Sequence, residues 1–219
     1  MRPKLYSLRP LALLLSFLGA LAAASAEAHP HVFVTAKSEV LFGPKGLVTG
    51  IRHSWRFDDM YSAFIVQGIG KPGDALTMEQ LAPLAKTNVE SLAEFRYFTV
   101  AKAAGKAAEF GDPIDYWNEQ GSDKAVTLHF TLPLKEPVNA SKLLILLVYD
   151  PTYFVAFSLD DHDPVRLDAA PSGCSTSISK PKDLEPTDKQ KLSESFFTNL
   201  SPGTDFGLKL AARAIIACP

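Results

Sequence analysis

Two histidines, His29 and His31, flank a proline in the run Ala28-His29-Pro30-His31-Val32-Phe33-Val34. Neutral imidazole nitrogen binds zinc, copper and nickel readily, and a carboxylate can complete a three-ligand set that keeps one position open for exchange. Asp58 is the carboxylate that a returning strand would bring to this pair. The site expected from these residues is therefore His29, His31 and Asp58, holding Zn(II), with Ni(II) or Cu(II) as alternatives. The competing reading is a loose chain end that happens to contain histidines.

The pair matters because of where it falls. Arg2, Lys4 and Arg9 precede an apolar run from Leu11 to Ala24, followed by small-residue cleavage sites at Ala24-Ser25-Ala26 and Ala26-Glu27-Ala28. This is the pattern of a secretory signal, residues 1–28, removed on export to the periplasm. The apolar run is shorter than the roughly 20 residues a membrane-spanning helix needs, so the mature chain is not expected to span a membrane. Cleavage after Ala26 leaves Glu27-Ala28-His29, whose amine, two backbone amides and third-residue imidazole can wrap Cu(II) or Ni(II). Cleavage after Ala28 makes His29 residue one. Pro30 has no amide proton, so that wrap fails around His31, and the amine with the His29 ring forms a brace suited to copper or zinc.

Other chemistries find less support. Removing residues 1–28 takes away three positive charges and one negative, so the net charge goes from −2 to −4. Nucleic acid is not an expected partner of such a chain, since binding phosphates needs a clustered basic face. There is no Gly-x-Ser-x-Gly elbow, phosphate loop or His-Glu-x-x-His helix, and an enzyme is not indicated. His53, between Ile51 and Trp55, reads as a buried core histidine. His129 alternates with threonines on a solvated strand face and is given no role. Asp160-Asp161-His162-Asp163 lacks the glycine and distant glutamate of a calcium loop and reads as a solvated loop. Cys174 and Cys218, both beyond the signal, are expected to form a disulfide tying the tail to the body. A thiol nucleophile with a distant histidine is the alternative.

The elements must then position these groups. Residues 29–219 are expected to form one α+β domain: antiparallel sheet beginning with an N-terminal hairpin, with helices packed on it. His31 to Phe42 and Leu47 to Asp58 alternate about the turn Gly43-Pro44-Lys45-Gly46. If Phe42 faces Leu47, then Val34 faces Trp55, Val32 faces Phe57 and Ala36 faces His53. The same register sets Lys37 beside Arg52 and His31 directly across from Asp58, with Cβ atoms about 4.5–5.5 Å apart. Asp58-Asp59 caps a short helix over Met60 to Gln67. Thr77 and Gln80 open a longer one as a capping box, carrying Leu81, Leu84, Ala85, Val89, Leu92 and Phe95 at helical spacing. Strands are expected over 98–103, 107–110, 115–119, 124–132, 143–149 and 153–159. The unbroken apolar run Leu143 to Val148 reads as a strand covered on both faces, at a sheet's centre. Residues 171–186 read as a loop and 187–219 as a helical tail.

The order Ala28-His29-Pro30-His31-Val32-Phe33, Trp55-Arg56-Phe57-Asp58, Tyr97-Phe98-Thr99, Leu132-Pro133-Leu134, Tyr149-Asp150-Pro151-Thr152-Tyr153-Phe154 and Gly173-Cys174 resembles a bacterial family catalogued as domain of unknown function 1007. The likeness spans residues 28 to 180. Its members are exported proteins, frequently encoded beside nickel/cobalt-exporter-like permeases, and some are assigned to zinc export. The resemblance implies a periplasmic accessory protein of an inner-membrane divalent-metal permease. The matching positions are His29, His31, Trp55, Asp58, Tyr149, Asp150 and Tyr153. An alternative is a metal-free interaction module that stabilises a permease through the turn bearing Tyr149, Asp150 and Tyr153. A copper-brace redox enzyme beginning at His29 is the weaker alternative.

Overall fold

The computed structural model describes residues 30–71, 73–141, 143–181 and 205–219. The signal segment, His29 and most of the expected helical tail therefore lie outside the described residues. Strand β1 (Val32–Phe42) and strand β2 (Leu47–Phe57) make the N-terminal hairpin, followed by helix α1 (Asp59–Ile65) and helix α2 (Met78–Leu92). Nine further strands come next: β3 (Thr99–Ala103), β4 (Lys106–Ala107), β5 (Ile114–Gln120), β6 (Val126–Asn139), β7 (Leu144–Val148), β8 (Val155–Leu159), β9 (Val165–Asp168), β10 (Ser175–Ser179) and β11 (Arg213–Ala217). One sheet runs β5-β6-β2-β1-β8, with β9 also on β1, and a second runs β10-β11-β7-β3-β4.

The α+β class stands, but the first sheet is mixed. Strands β8 and β9 both lie parallel to β1. The chain leaves the second sheet at the end of β7 and returns to the free edge of β1 in the same direction as β1. The second sheet is antiparallel throughout, and β7 is its middle strand, as the apolar run implies.

The hairpin register differs from the expected one by two residues. Val34 pairs with Phe57, Ala36 with Trp55 and Ser38 with His53. Two local features account for this. The hairpin closes on Phe42 opposite Val48 rather than Leu47, and a bulge between Leu41 and Phe42 leaves Thr49 as an extra residue. Thr49 Oγ1 donates to the Leu41 carbonyl at 3.2 Å, which helps satisfy the bulged backbone. A slip of two keeps every side chain on its original face. It also replaces the like-charge pair Lys37–Arg52 with Glu39 opposite Arg52, joined at 2.6 Å.

The long hairpin passes through two cores. At its open end, Val32, Val34, Trp55 and Phe57 pack with Leu128 and Phe130 of β6, with Ala85 and Val89 of α2, and with Phe98. At its turn end, Val40, Phe42, Val48 and Ile51 pack against Leu144, Leu146, Ala214 and Ile216 of the second sheet. The α2 capping box is formed: Thr77 N–H donates to Gln80 Oε1 at 2.9 Å and Gln80 N–H to Thr77 Oγ1 at 3.3 Å. Leu81, Ala85 and Val89 are its buried stripe, whereas Phe95 lies beyond the helix and is exposed.

The carboxyl-terminal region needs two corrections. Residues 175–179, expected as loop, are strand β10, and residues 213–217, expected as helix, are strand β11 between β10 and β7. In Arg213-Ala-Ile-Ile-Ala217 the residues alternate, and Ala214 and Ile216 point into the core. A place between two waiting strands overrides the helical leaning of an alanine-rich run. The disulfide between Cys174 and Cys218 is present, joining the start of β10 to the end of β11.

Candidate functional site

The edge of the first sheet where β1 begins carries the described part of the expected metal site. His31 is exposed, immediately before β1, and its amide donates to the Phe154 carbonyl at 2.9 Å. Its ring lies 4.7 Å from that of Phe154. Asp58 lies where β2 turns into α1, and both of its oxygens are engaged. Oδ2 accepts from the Phe33 amide at 2.8 Å and Oδ1 from the Tyr61 amide at 2.9 Å. The first contact continues the hairpin ladder, as does the Asp58 amide donating to the Phe33 carbonyl at 3.0 Å. The second is the expected helix cap.

Asp58 therefore sits across from Phe33, not from His31 as expected. The cause is the two-residue register slip. Because the slip is even, His31 and Asp58 stay on the same side of the sheet, one pleat repeat apart, a diagonal separation of about 7–8 Å. The carboxylate that was expected to await a metal spends one lone pair on each oxygen holding its own backbone. His29 lies outside the described residues, so the amine-and-imidazole brace does too. Among the described residues, no group of three or more His, Cys, Asp or Glu side chains is gathered as a metal site.

The turn between β7 and β8, expected as a partner surface, is built inward. Asp150 is buried. Its Oδ1 accepts from the Thr152 amide and hydroxyl, each at 2.8 Å, and its Oδ2 from the Val155 amide at 3.0 Å. A carboxylate taking three donors fixes the turn and the start of β8. The carboxyl-terminal segment closes over it: Gly207 N–H donates to the Pro151 carbonyl at 3.0 Å. A Cβ at Gly207 would meet the Asp150 carbonyl oxygen at 1.8 Å, so only glycine allows this approach. Tyr149 Oη donates to Asp205 at 3.0 Å, and burial together with that carboxylate pushes its phenol up to about 12. The Tyr153 ring stands 6.1 Å from Phe206, nearly edge-on. At the same end of the sheet the side chains open to solvent are those of Phe33 and Phe154.

The remaining histidines divide as their alternation implies. His53 is fully buried between the sheets, with Ser38 Oγ 3.0 Å from Nδ1 and Thr99 Oγ1 3.2 Å from Nε2. Burial lowers its pKa to about 3, so it is neutral at any physiological pH. His129 is more tied down than a solvated face suggests. Its Nδ1 is 2.9 Å from Ser54 Oγ and its Nε2 3.0 Å from Glu119 Oε1, and its ring stacks on Trp117 with centroids 4.6 Å apart. This hydroxyl–imidazole–carboxylate chain went unforeseen, because Ser54 and His129 meet only through the pairing of β2 with β6. Those strands lie inside the sheet, with ladder partners on both sides. In the acidic loop, Asp160 Oδ1 accepts from the His162 amide at 2.8 Å and faces Lys37 Nζ at 3.4 Å, a self-contained turn.

Residues 14–218 match the model of the family described as protein of unknown function (DUF1007). The chain belongs to that family. An uncharacterized protein of Haemophilus influenzae is 26% identical over 198 residues, covering 87% of this chain and 91% of that protein. Among the described residues no helix is long and apolar enough to cross a membrane.

Proposed function

We propose that this protein is an exported, non-enzymatic metal-binding accessory of an inner-membrane divalent-metal permease. His29 and His31 are its principal ligands, Zn(II) is the leading metal, and Ni(II) and Cu(II) are alternatives. The supporting observation is the position of His31: an exposed residue immediately before β1, at the end of the first sheet, two positions after His29 and near the Asp58 that follows β2. A ligand pair mounted where a chain end meets a fixed strand can pass its metal to a partner without unfolding anything. Asp58 joins the set from a diagonal position, using the lone pairs its backbone contacts leave free.

Zinc titration of protein exported and processed in its native host tests this reading. Replacing His29 and His31 together with alanine is expected to weaken binding by at least the 10–100-fold typical of outer-shell changes. Undiminished binding in that variant would end the assignment.

The exposed rings of Phe33 and Phe154 beside this edge favour a second reading, a module that docks on its permease without metal. A Phe154→Ala variant that co-purifies with the permease at the parent level would count against it. The turn residues Tyr149, Asp150 and Tyr153 serve that reading as support for the edge rather than as the contact surface.

A further inference from the structure

The first core is not sealed at the open end of the hairpin. Beneath α2 an apolar pocket of about 240 Å³ opens to solvent, with Tyr61, Leu92, Phe98, Phe154 and Val155 among its walls. Among the described residues that line it, none is charged. Three exposed aromatic rings stand at these walls. Phe154 is itself a wall residue and is 47% exposed. Phe64, 64% exposed, has its ring 6.5 Å from that of Tyr61, and Phe95, 54% exposed, stacks on Phe98 at 5.2 Å. Single apolar side chains on a surface need no explanation, but three large rings collected about one apolar pocket are the pattern of an interaction site. The charges nearby are uneven. Asp58 and Asp59 lie where α1 begins, Glu94 and Arg96 flank Phe95, and the His31 ring is 4.7 Å from that of Phe154. Burial, and after it the Asp58 carboxylate, push the Tyr61 phenol up, so that carboxylate is within electrostatic reach of the pocket wall. Asp58, Asp59 and Glu94 take part in no ion pair among the described residues. Three carboxylates are thus set against one guanidinium around an apolar mouth.

We propose that this pocket receives one bulky apolar side chain from a basic segment of a partner protein, with Phe64, Phe95 and Phe154 packing around that anchor. The proposal rests on the permease reading for the identity of the partner: the segment is then an extramembrane part of the permease, docked beside the histidine edge from which metal passes. The size follows from the volume. A cavity of about 150 Å³ holds benzene, so this one takes a phenylalanine or leucine side chain and little more. The lining excludes a charged anchor, which would lose its hydration with no opposite charge to replace it. The rim sets what flanks the anchor: lysine or arginine beside it meets Asp58, Asp59 and Glu94. A second copy docked face to face would set these carboxylates against their own equivalents, and an anionic bilayer would oppose them with its own charge.

Amide NMR of the processed, disulfide-bonded protein, titrated with the capped heptapeptide Lys-Lys-Gly-Phe-Gly-Lys-Lys, tests it. One control peptide has Ala in place of Phe, and another has Glu in place of every Lys. The expected result is a saturable shift of the Leu92 and Val155 amides with the probe, while Trp117, stacked on His129 on the other face of the sheet, stays still. Each control should bind at least about tenfold more weakly. Phe64→Ser combined with Phe95→Ser, at sites already more than half exposed, should leave the fold intact and weaken the probe by about tenfold as well. Should that pair fail to fold, Phe64→Ser alone and the control peptides still decide. The proposal is overturned if the probe shifts neither amide, if either control binds as tightly as the probe, or if the serine variant binds it as the parent does. It is equally overturned by a dimer in sedimentation, or by binding to phosphatidylglycerol vesicles, that the serine variant abolishes, since either assigns the face to another occupant. Co-purification with the permease separates this proposal from the reading beneath it. Capture of the parent and loss of the serine variant is the expected result. Equal capture of both overturns the docking face and leaves the permease reading standing, whereas capture of neither, with the peptide series as expected, removes the permease as partner and leaves the basic-segment site standing.

Discussion

The two ends of the β1–β2 hairpin are finished in opposite ways. At the turn end, Val40, Phe42, Val48 and Ile51 are pressed against a second sheet, and the edge of that sheet is stapled by the Cys174–Cys218 disulfide. At the open end, the cover is α2 together with Tyr61 and Ile65 of α1 and the segment bearing Phe98, an apolar pocket remains beneath them, and the exposed groups there include His31, Phe33 and Phe154. Stability is concentrated at one end and accessible chemistry at the other. A long, continuous hairpin allows this division because its strands cross both cores. The open end is held in place by material it does not itself supply.

Breaking the turn end should cost the most. The disulfide spans 44 residues of chain, and the loop-closure entropy it removes from the unfolded ensemble amounts to about 4 kcal/mol. Cys174→Ala with Cys218→Ala should lower stability in urea by about 2–5 kcal/mol. Zinc affinity, measured where the variant is still folded, should be unchanged, because the staple joins β10 to β11 in the second sheet, whereas His31 precedes β1 and Asp58 follows β2 in the first. A parallel loss of affinity would show that the two ends are not separable.

The next effect tests the seam where the two sheets meet. His53 keeps its neutral ring in the fold down to about pH 3, whereas an imidazole in the unfolded chain titrates near 6.5. The unfolded state therefore takes up the extra proton first, and stability falls as pH drops from about 6.5 toward 3. Between pH 7 and pH 5 this group should remove about 2 kcal/mol. His53→Gln, which retains a polar group between Ser38 and Thr99, should lose that part of the slope. Urea midpoints measured at both pH values check this, and identical slopes in parent and variant would refute it.

Much of this division was legible in the chain itself. The alternation of His31–Phe42 and Leu47–Asp58, the Thr77/Gln80 box, the unbroken run Leu143–Val148 and the burial of His53 all follow from local pattern. So does the pairing of Cys174 with Cys218, since the chain's two cysteines have only each other to pair with. The register did not, because a bulge at Thr49 and a wider closing turn are not encoded in hydrophobic period. They shifted the hairpin by two residues without altering which faces are apolar. Strands β9, β10 and β11 were hidden for a different reason: short segments at an edge or between other strands take their conformation from neighbours, not from their own propensity. The Ser54–His129–Glu119 chain and the cavity beside Trp55 arise from contacts distant in sequence, which no single-segment pattern reveals. Of the expected metal site, the direct opposition of His31 and Asp58 is replaced by Asp58 against Phe33, and His29 lies outside the described residues.

The smallest expected effect falls at the open end and is the most discriminating. Asp58 caps α1 through Tyr61 and holds the Phe33 amide, and losing a cap of this kind costs about 1 kcal/mol. Asp58→Ala should therefore reduce stability by about that amount, or slightly more because two amides lose their acceptor. Asp58→Asn keeps one carbonyl oxygen, which can still cap α1 since asparagine caps nearly as well, but it turns an NH2 toward the other amide and should cost about 1 kcal/mol for that lost hydrogen bond. The same substitution removes the negative charge a metal would draw on. If Asp58 is a ligand beside His29 and His31, Asp58→Asn lowers zinc affinity in protein that is still fully folded, at a stability cost no larger than that of Asp58→Ala. If its work is confined to Phe33 and Tyr61, Asp58→Asn binds zinc as the parent does, and the histidines alone carry the metal. Stability and affinity measured on this one variant thus separate the carboxylate's structural duty from its chemical one.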